Sequence, residues 1–309
     1  MSKENTAVTK KKIKRCKEDV VFDAACFIIL TLVLFVVAYP LYWVIISSIS
    51  APSAVSSGKV LLHPIGFTLK GYAEVFKNDQ VMRGFLNSLI ITFCGVMVNL
   101  IVTLPTSYAL SRSNFSGKKP ITIFYLITMF FGGGLIPTYL VIQRLQMLNT
   151  IWALILPGCL SVYNMIVART FFKSNISEEM YEAAEIDGWT QARFFFQIAL
   201  PLSKAIIAIL VLYYGVGHWN SYFSALVYIS DKAKYPLQLV LRNILITNQT
   251  ALSQTATTAA ARAALQEKQQ LIDVMKYSLI IISSIPVLVM YPLVQKHFVK
   301  GVMIGSMKG

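Results

Sequence analysis

Six long stretches without Asp, Glu, Lys or Arg dominate this sequence and limit what it can fold into. They cover residues 24–49, 84–111, 120–143, 145–168, 205–230 and 277–295. Each has at least 19 residues, and a helix needs about 20 apolar residues to cross a bilayer. The stretches lack the alternating pattern of a barrel strand. The sequence therefore predicts an all-α membrane protein with six transmembrane helices.

The composition supports this class and excludes several others. Only 14% of the residues are charged and 56% are hydrophobic, whereas about a quarter of a soluble domain is charged. A soluble enzyme, a disordered chain and a disulfide-rich scaffold are therefore excluded. The sequence has no CxxC pair, and its three histidines are far apart, so we expect no metal site and inert thiols at most of the four cysteines.

The basic residues predict an orientation. Seven of them lie in the first 17 positions, directly before the first apolar stretch, and Lys and Arg favour the cytoplasmic side of short membrane loops. With a cytoplasmic N-terminus, 17 of the 28 Lys and Arg residues lie inside and 10 outside. The net charge of +14 thus comes from basic residues that flank the apolar stretches, a placement typical of a membrane topology signal. Both chain ends are expected to be cytoplasmic.

These boundaries predict how the chain is organised. A basic tail (1–21) precedes a first transmembrane helix (22–49) and an outer loop (50–83), which holds a short helix over Leu69 to Phe76. The remaining spans form a domain over 84–300, and a cytoplasmic tail (301–309) follows. A second outer loop covers 231–276, and its segment Thr247 to Ala264, poor in apolar residues, is expected to be mobile or to contact a partner.

Two features favour interruptions within the spans. Gly132, Gly133 and Gly134 with Pro137 indicate a helix break near the outer side, although close packing of helices explains the glycines equally well. Arg144 is the only charged residue between the third and fourth stretches, so these two stretches join within a short segment.

An acidic cluster between the fourth and fifth stretches is the strongest local signal of function. Five of the 14 acidic residues lie between Glu178 and Asp187. Ser177 can cap a helix with acids in its first turn, where the helix dipole favours them. Gly188 permits a turn, and an aromatic-rich second helix follows from Trp189. A solvated loop is the simpler interpretation, but the two small alanines beside the acids favour docking onto another protein.

The same segment closely resembles the EAA loop of permease subunits of ATP-binding-cassette importers. Every fixed position of that pattern is present: Glu182, Ala183, Ala184, Gly188, Ile198, Leu200 and Pro201. Four further stretches resemble the MalG-like half of carbohydrate importers, in the branch for polysaccharide-derived oligosaccharides: GGLIPTY at 133–139, RTFF at 169–172, HWNSY at 218–222 and YPLQ at 235–238. Ala205 departs from the family, where proline is frequent and bends the start of the fifth span. The resemblance covers about residues 22–305.

The resemblance implies a MetI-like, type I importer permease in the bacterial plasma membrane. A second permease subunit would share the path, an extracytoplasmic binding protein would deliver a sugar or oligosaccharide, and two cytoplasmic ATPase subunits would bind ATP and Mg. Residues 177–201 would form the coupling loop that contacts an ATPase. The chain itself has no GxxxxGK[ST] phosphate loop, which agrees with a non-catalytic subunit without its own cofactor.

The substrate path is predicted from polar and aromatic residues within or beside the spans. Such groups are costly in lipid unless they face protein or water. The candidates are Trp219, Asn220, Tyr222, Asn164, Tyr163 and Asn87. For each of them, bridging between helices or membership of an interfacial aromatic belt is the alternative.

Other function classes fit less well. A secondary transporter needs an ion or proton relay, and the six stretches contain no acidic residue. A membrane enzyme needs a catalytic set, which the isolated histidines do not supply. Permeases for peptides or amino acids share the EAA spacing, so they stay open as an alternative substrate class.

Overall fold

A computed structural model describes residues 16–251 and 259–305, with side chains for residues 16–246, 269–292, 294 and 295. Every regular element of this part is helical. The α-helices are α1 (Lys17–Ser48), α2 (Pro52–Ser56), α3 (Lys70–Lys77), α4 (Asp79–Ser111), α5 (Lys118–Phe130), α6 (Leu135–Arg144), α7 (Trp152–Ile155), α8 (Val162–Asn175), α9 (Glu178–Ile186), α10 (Gln191–Phe194), α11 (Leu200–Leu202), α12 (Lys204–Trp219), α13 (Phe223–Tyr228), α14 (Leu237–Ala251) and α15 (Ala259–Gly305).

Three helices are long and apolar enough to cross a membrane alone: α1, α4 and the Gln269–Pro292 part of α15. The first begins at Lys17, five residues before the predicted start at residue 22, because Glu18 and Asp19 occupy its first turn. The second is capped by Asn78, whose Oδ1 accepts hydrogen bonds from the backbone N–H groups of Gln80 and Val81 at 3.0 and 3.2 Å.

Three further apolar segments are pairs of helices joined by a sharp bend. The bends measure 112° between α5 and α6, 52° between Trp152–Gly158 and α8, and 80° between Gln191–Leu202 and α12. The fold class predicted from the sequence is therefore confirmed as helical with several apolar segments. The bends place the interruptions within three of the predicted stretches or at their ends.

The first bend lies at the glycine run. The helix α5 ends at Phe130, and α6 begins after Gly134, whose φ of 88° suits only glycine. A methyl group added at Gly132 would meet no atom within 4 Å, and one at Gly133 would meet only Pro137, at 3.9 Å. The glycines thus coincide with a helix break, and no helix of the described part of the chain packs closely against Gly132 or Gly133.

The second bend is held by side chains from neighbouring helices. The Asn99 side chain, fully buried, donates hydrogen bonds to the carbonyl oxygens of Gly158 and Cys159 at 2.8 and 2.9 Å. The Tyr214 hydroxyl lies 3.2 Å from the backbone nitrogen of Ser161, from which it accepts a hydrogen bond. Backbone groups freed by a break inside an apolar environment need such partners. Asn99 therefore bridges helices, the alternative predicted for polar residues of the spans.

The helix α4 lies at the centre of the fold. It packs against α8, α12 and α14, and α12 in turn packs against α15. The helix α1, by contrast, packs against α15 and is exposed along most of its length, with Ile46, Ser47 and Ser48 as its buried residues. A displacement applied to α4 therefore reaches most of the apolar segments.

The two outer loops differ from each other in how well the sequence predicted them. The short helix predicted over Leu69 to Phe76 is present as α3, one residue further along. The interpretation of Thr247 to Ala264 as a loop is wrong at both ends, because α14 continues to Ala251 and α15 begins at Ala259. Alanine and glutamine are good helix formers even where apolar content is low. Residues 252–258 lie outside the described residues, as do most of the predicted tails (1–15 and 306–309).

Candidate functional site

The acidic segment forms a helix-turn-helix unit between α8 and α12. The helix α9 is capped by Ser177, whose Oγ accepts a hydrogen bond from the Met180 N–H at 3.3 Å. Glu178 and Glu179 occupy the first turn, where the helix dipole stabilises negative charge. The unit thus starts with the cap that the sequence predicts.

The turn after α9 is a left-handed glycine turn. Gly188 has a φ of 78°, its N–H donates to the Glu185 carbonyl, and the Trp189 N–H donates to the Ala184 carbonyl, both at 2.9 Å. This geometry satisfies carbonyls at the helix end. A side chain at position 188 would meet no atom within 4 Å, so the turn depends on the backbone freedom of glycine.

The helix α9 has one buried and one exposed face. Tyr181 and Ala184 are buried against the rest of the chain, whereas Glu182, Ala183 and Ile186 are exposed. The side chain of Ile186 is 87% exposed, which is costly for an isoleucine in water. The two alanines therefore have different places: Ala184 packs inward, and Ala183 leaves a low surface between an acid and an apolar side chain.

The second half of the unit packs onto α9 and leads back to the apolar segments. The Phe194 ring is fully buried and meets the Tyr181 ring edge-on at 5.4 Å. One turn of π-helix, Phe195–Ala199, precedes α11. Ile198 and Leu200 pack partly buried against the same cluster, and Pro201 is exposed. Ile198 and Leu200 therefore support the unit from within this chain, and Pro201 lies on its surface.

The 80° bend that follows needs no proline at position 205. Ser203, fully buried, leaves the helical region of backbone angles, and its Oγ donates to the Ala199 carbonyl at 2.6 Å. The departure at Ala205 therefore does not remove the bend at the start of the fifth predicted span.

The base of α9 is tied to the end of α4. Glu178 forms an ion pair with Arg112, and its Oε1 accepts a hydrogen bond from the Ser113 N–H at 2.8 Å. Burial alone would raise the pKa of Glu178, but the Ser113 hydrogen bond and the Arg112 guanidinium outweigh burial and hold this pKa below its ordinary value. The pair is therefore charged at neutral pH. Protonation as the pH falls through this lowered pKa removes its contribution to stability.

Sequence reasoning did not identify Arg112 or Ser113 as part of the site. Arg112 stands at the end of an apolar stretch, where a basic residue is expected at a membrane boundary, and 65 residues separate Ser113 from Glu178. The one available signal was the opposite charge of Glu178, which follows another predicted span.

The structure separates the six candidates for the substrate path into two groups. The Trp219 ring is buried, lies edge-on to Phe85 at 5.6 Å, and its Nε1 donates to the Ser283 carbonyl at 2.8 Å. Asn164 is also buried, and Asn87 donates to the carbonyl oxygens of Ala233 and Tyr235. This placement favours the alternative predicted for these residues, packing and bridging between helices.

The other three candidates have exposed side chains. Tyr163 lies just after the second bend and is 55% exposed, and Tyr222 lies between α12 and α13 and is 45% exposed. Asn220, at the end of α12, is exposed as well. Aromatic and amide groups of this kind are available to a ligand in the present conformation.

Comparisons with known proteins give the family. No family model matches the chain. The polygalacturonan/rhamnogalacturonan transport system permease protein YtcP of Bacillus subtilis (strain 168) is 35% identical over 288 residues, which cover 93% of this chain and 98% of that protein. Protein LplC of the same organism is 38% identical, over 94% and 95% of the two chains.

The chain belongs to the sugar permeases of ABC transport systems. A solved structure agrees: a crystal structure of a bacterial ABC transporter involved in the import of the acidic polysaccharide alginate matches this permease with a TM-score of 0.83. The sequence identity is 27%, and the match covers 93% of this permease and 99% of that chain. The galactooligosaccharides transport system permease protein GanQ of Bacillus subtilis is 29% identical over 92% of this permease. The resemblance found in the sequence is thus confirmed, and this permease is a membrane protein and a transport subunit.

Proposed function

We propose that the permease forms, together with a second homologous permease subunit, the path by which an oligosaccharide enters the cell. An extracytoplasmic binding protein delivers the sugar. Two cytoplasmic ATPase subunits bind ATP with Mg and hydrolyse the ATP. The names of the relatives support a polysaccharide-derived substrate. They weigh against the alternatives of a peptide or amino-acid permease and of a secondary transporter.

The single observation that carries the coupling part of this proposal is the exposed face of α9. This short helix presents an acid, an alanine and an isoleucine (Glu182, Ala183 and Ile186) beside one another on the exterior of the chain. Ile186 is 87% exposed, so this face of α9 is open to a partner over all three side chains. We assign this face to contact with an ATPase subunit, with Glu182 paired to a basic residue there.

The six-span arrangement follows when each bent pair counts as one span. With the basic residues on the inside, both chain ends and the α9 unit lie in the cytoplasm, and α3 and the 231–236 loop lie outside the bacterial plasma membrane. Within the path, the exposed Tyr163, Asn220 and Tyr222 are the proposed sugar contacts, because aromatic faces and amides bind sugar rings and hydroxyls.

Cysteine labelling in intact cells tests the orientation. In a background where the four native cysteines are serine, Ala233→Cys is expected to react with a membrane-impermeant maleimide, because it lies in an exposed outer loop. Asn114→Cys, exposed but cytoplasmic in this arrangement, is the matched control and is expected to react after the cells are opened. Labelling of Asn114→Cys in intact cells would show that the chain has the opposite orientation.

Reconstitution tests which subunits hydrolyse ATP. The permease purified alone is expected to hydrolyse no ATP, since its sequence has no phosphate loop. Hydrolysis stimulated by the loaded binding protein, and uptake of an oligosaccharide into liposomes, are expected when the second permease and the ATPase pair are added. ATP hydrolysis by the permease alone, with copurifying ATPases excluded by mass spectrometry, would refute the assignment.

A further inference from the structure

The ion pair at the base of α9 connects this helix to the end of α4. Arg112 is 7% exposed, and a buried guanidinium is costly unless it is paired. Its Nη2 meets the Glu178 carboxylate. Its guanidinium carbon lies 5.5 Å from the centre of the Tyr108 ring and 5.6 Å from that of the Tyr181 ring. Within the described part of the chain, the Nε and Nη1 atoms have no hydrogen-bond partner, so two rings and one carboxylate are the contacts that stabilise this charge there.

The four residues come in two pairs, one at the end of α4 and one on α9. Tyr108 lies in the last turn of α4, and Arg112 is the first residue after α4, with extended backbone angles. Glu178 and Tyr181 lie three positions apart on one side of α9. Each pair supplies one aromatic ring and one charge, and Arg112 contacts both residues of the α9 pair as well as Tyr108 in its own segment. This cluster, Tyr108, Arg112, Glu178 and Tyr181, is called the α4–α9 joint below.

The end of α4 is bound to two other apolar segments as well. The Lys118 Nζ, at the start of α5, donates to the carbonyl oxygens of Arg112 and Ser113 at 3.2 and 3.1 Å. The Arg169 Nε, on α8, donates to the Leu110 carbonyl at 2.9 Å. A force transmitted to the end of α4 therefore reaches α5 and α8 through direct hydrogen bonds.

The helix α9 needs such contacts at its base if it is to transmit force to α4. It has nine residues, and isolated helices shorter than about 12 residues are marginal in water. Its buried residues are Tyr181 and Ala184, a small apolar contact. With little apolar surface to fix it, the attachment of α9 to the apolar segments depends strongly on the charged contacts at its base.

We propose that Arg112 and Glu178 are positioning residues that lock α9 to the end of α4, so that movement of the ATPases displaces α9 and α4 as one body. The proposal rests on the proposed coupling role of α9 and names the residues through which the coupling reaches the spans. Neither residue contacts the sugar or ATP. Their effect is on the response of the complex to loaded binding protein.

The test uses the complete complex in liposomes, with the second permease, both ATPase subunits and the binding protein. Glu178→Gln keeps an acceptor oxygen for the Ser113 N–H but leaves Arg112 unpaired, and Arg112→Met removes the charge from the other side. In both variants the subunits are expected to copurify and basal ATP hydrolysis to persist. Stimulation by loaded binding protein is expected to fall about tenfold, within the usual range of coupling between sites. Uptake is expected to fall with it.

A double-mutant cycle separates a direct joint from a general loss of stability. The double variant Arg112→Met/Glu178→Gln is expected to lose no more stimulation than either single variant, because residues in one contact are not additive. Glu74→Gln, which removes the exposed ion pair with Lys77, is the matched control and is expected to keep full stimulation. Additive losses in the double variant would overturn the proposal.

Comparison of Glu178→Gln with Glu182→Lys, on the exposed face of α9, distinguishes failure of the joint from failure of the coupling role. Full stimulation in Glu178→Gln, with transport lost in Glu182→Lys, would refute the joint while the coupling role of α9 stands. Full stimulation in both would refute the coupling role itself. If Arg112→Met fails to assemble, Glu178→Gln decides alone, because it changes a side chain that is 38% exposed and keeps its size.

Discussion

Gly188→Val and Glu182→Lys are each expected to abolish oligosaccharide uptake while the chain still folds and inserts. At Gly188 the φ of 78° is unfavourable for a β-branched residue, at roughly 1–2 kcal/mol. A Cβ atom added there would meet no described atom within 4 Å, so the change is expected to act on the turn and tilt the second half of the unit. At the proposed contact with a basic ATPase residue, Glu182→Lys replaces attraction by repulsion, and in a partly desolvated contact charge effects exceed those in bulk water.

Uptake, copurification and stimulated ATP hydrolysis in the reconstituted complex measure this result. Gly58→Val is the matched control for backbone strain, because Gly58 has a φ of 69° and equally open surroundings but lies in the predicted outer loop, away from α9. It is expected to transport. Glu182→Gln removes the charge without reversing it and is expected to lose less activity than Glu182→Lys. Wild-type uptake and stimulation in both Gly188→Val and Glu182→Lys would show that this unit does not couple the ATPases to the spans.

Trp219→Ala is expected to destabilise the permease and to lower the amount of assembled complex. The Trp219 ring is 2% exposed and shares a cluster with Val81, Leu237 and Leu279, and so joins α4, α12, α14 and α15. Removing a buried tryptophan side chain costs about 3–5 kcal/mol, and the Nε1 hydrogen bond to Ser283 is lost as well. Thermal unfolding of the purified complex is expected to show a clearly lowered Tm.

Tyr222→Ala is the matched comparison, three residues away. Because Tyr222 is 45% exposed, its removal is expected to leave Tm near that of the wild type. If Tyr222 stacks on sugar, uptake falls partially, since such contacts contribute on the order of 1 kcal/mol. Trp219→Ala with unchanged Tm and reduced uptake would instead place Trp219 in the substrate path.

Local features of the site were predictable from the sequence. The cap at Ser177, the acids in the first turn of α9 and the turn at Gly188 depend on residues within a few positions of one another. The same is true of the helix break at Gly132 to Gly134. Capping and left-handed turns are decided by short-range hydrogen bonds and backbone sterics, which the sequence displays directly.

Side-chain roles that depend on distant residues were less predictable. Trp219 and Tyr222 are three positions apart and both aromatic, yet one is buried against Phe85 and the other is exposed. Likewise Ala183 and Ala184 are neighbouring residues of the same type, yet Ala183 is exposed and Ala184 is buried. Aromatic side chains suit a core and a sugar site equally well, so the residue type alone does not decide between them.

The sequence by itself determined the membrane class, the helical fold and the resemblance to importer permeases. The class and fold follow from the length of the apolar stretches, because the absence of water in a bilayer allows few backbone structures. The permease resemblance follows from the EAA pattern, and its sugar branch from the four further stretches. The tertiary structure decided which polar groups bridge helices, which side of α9 is exposed, and that Arg112 meets Glu178. These pairings join residues far apart in the sequence, such as Asn99 and Gly158 at 59 positions, and only the packing of the helices against one another brings them within reach.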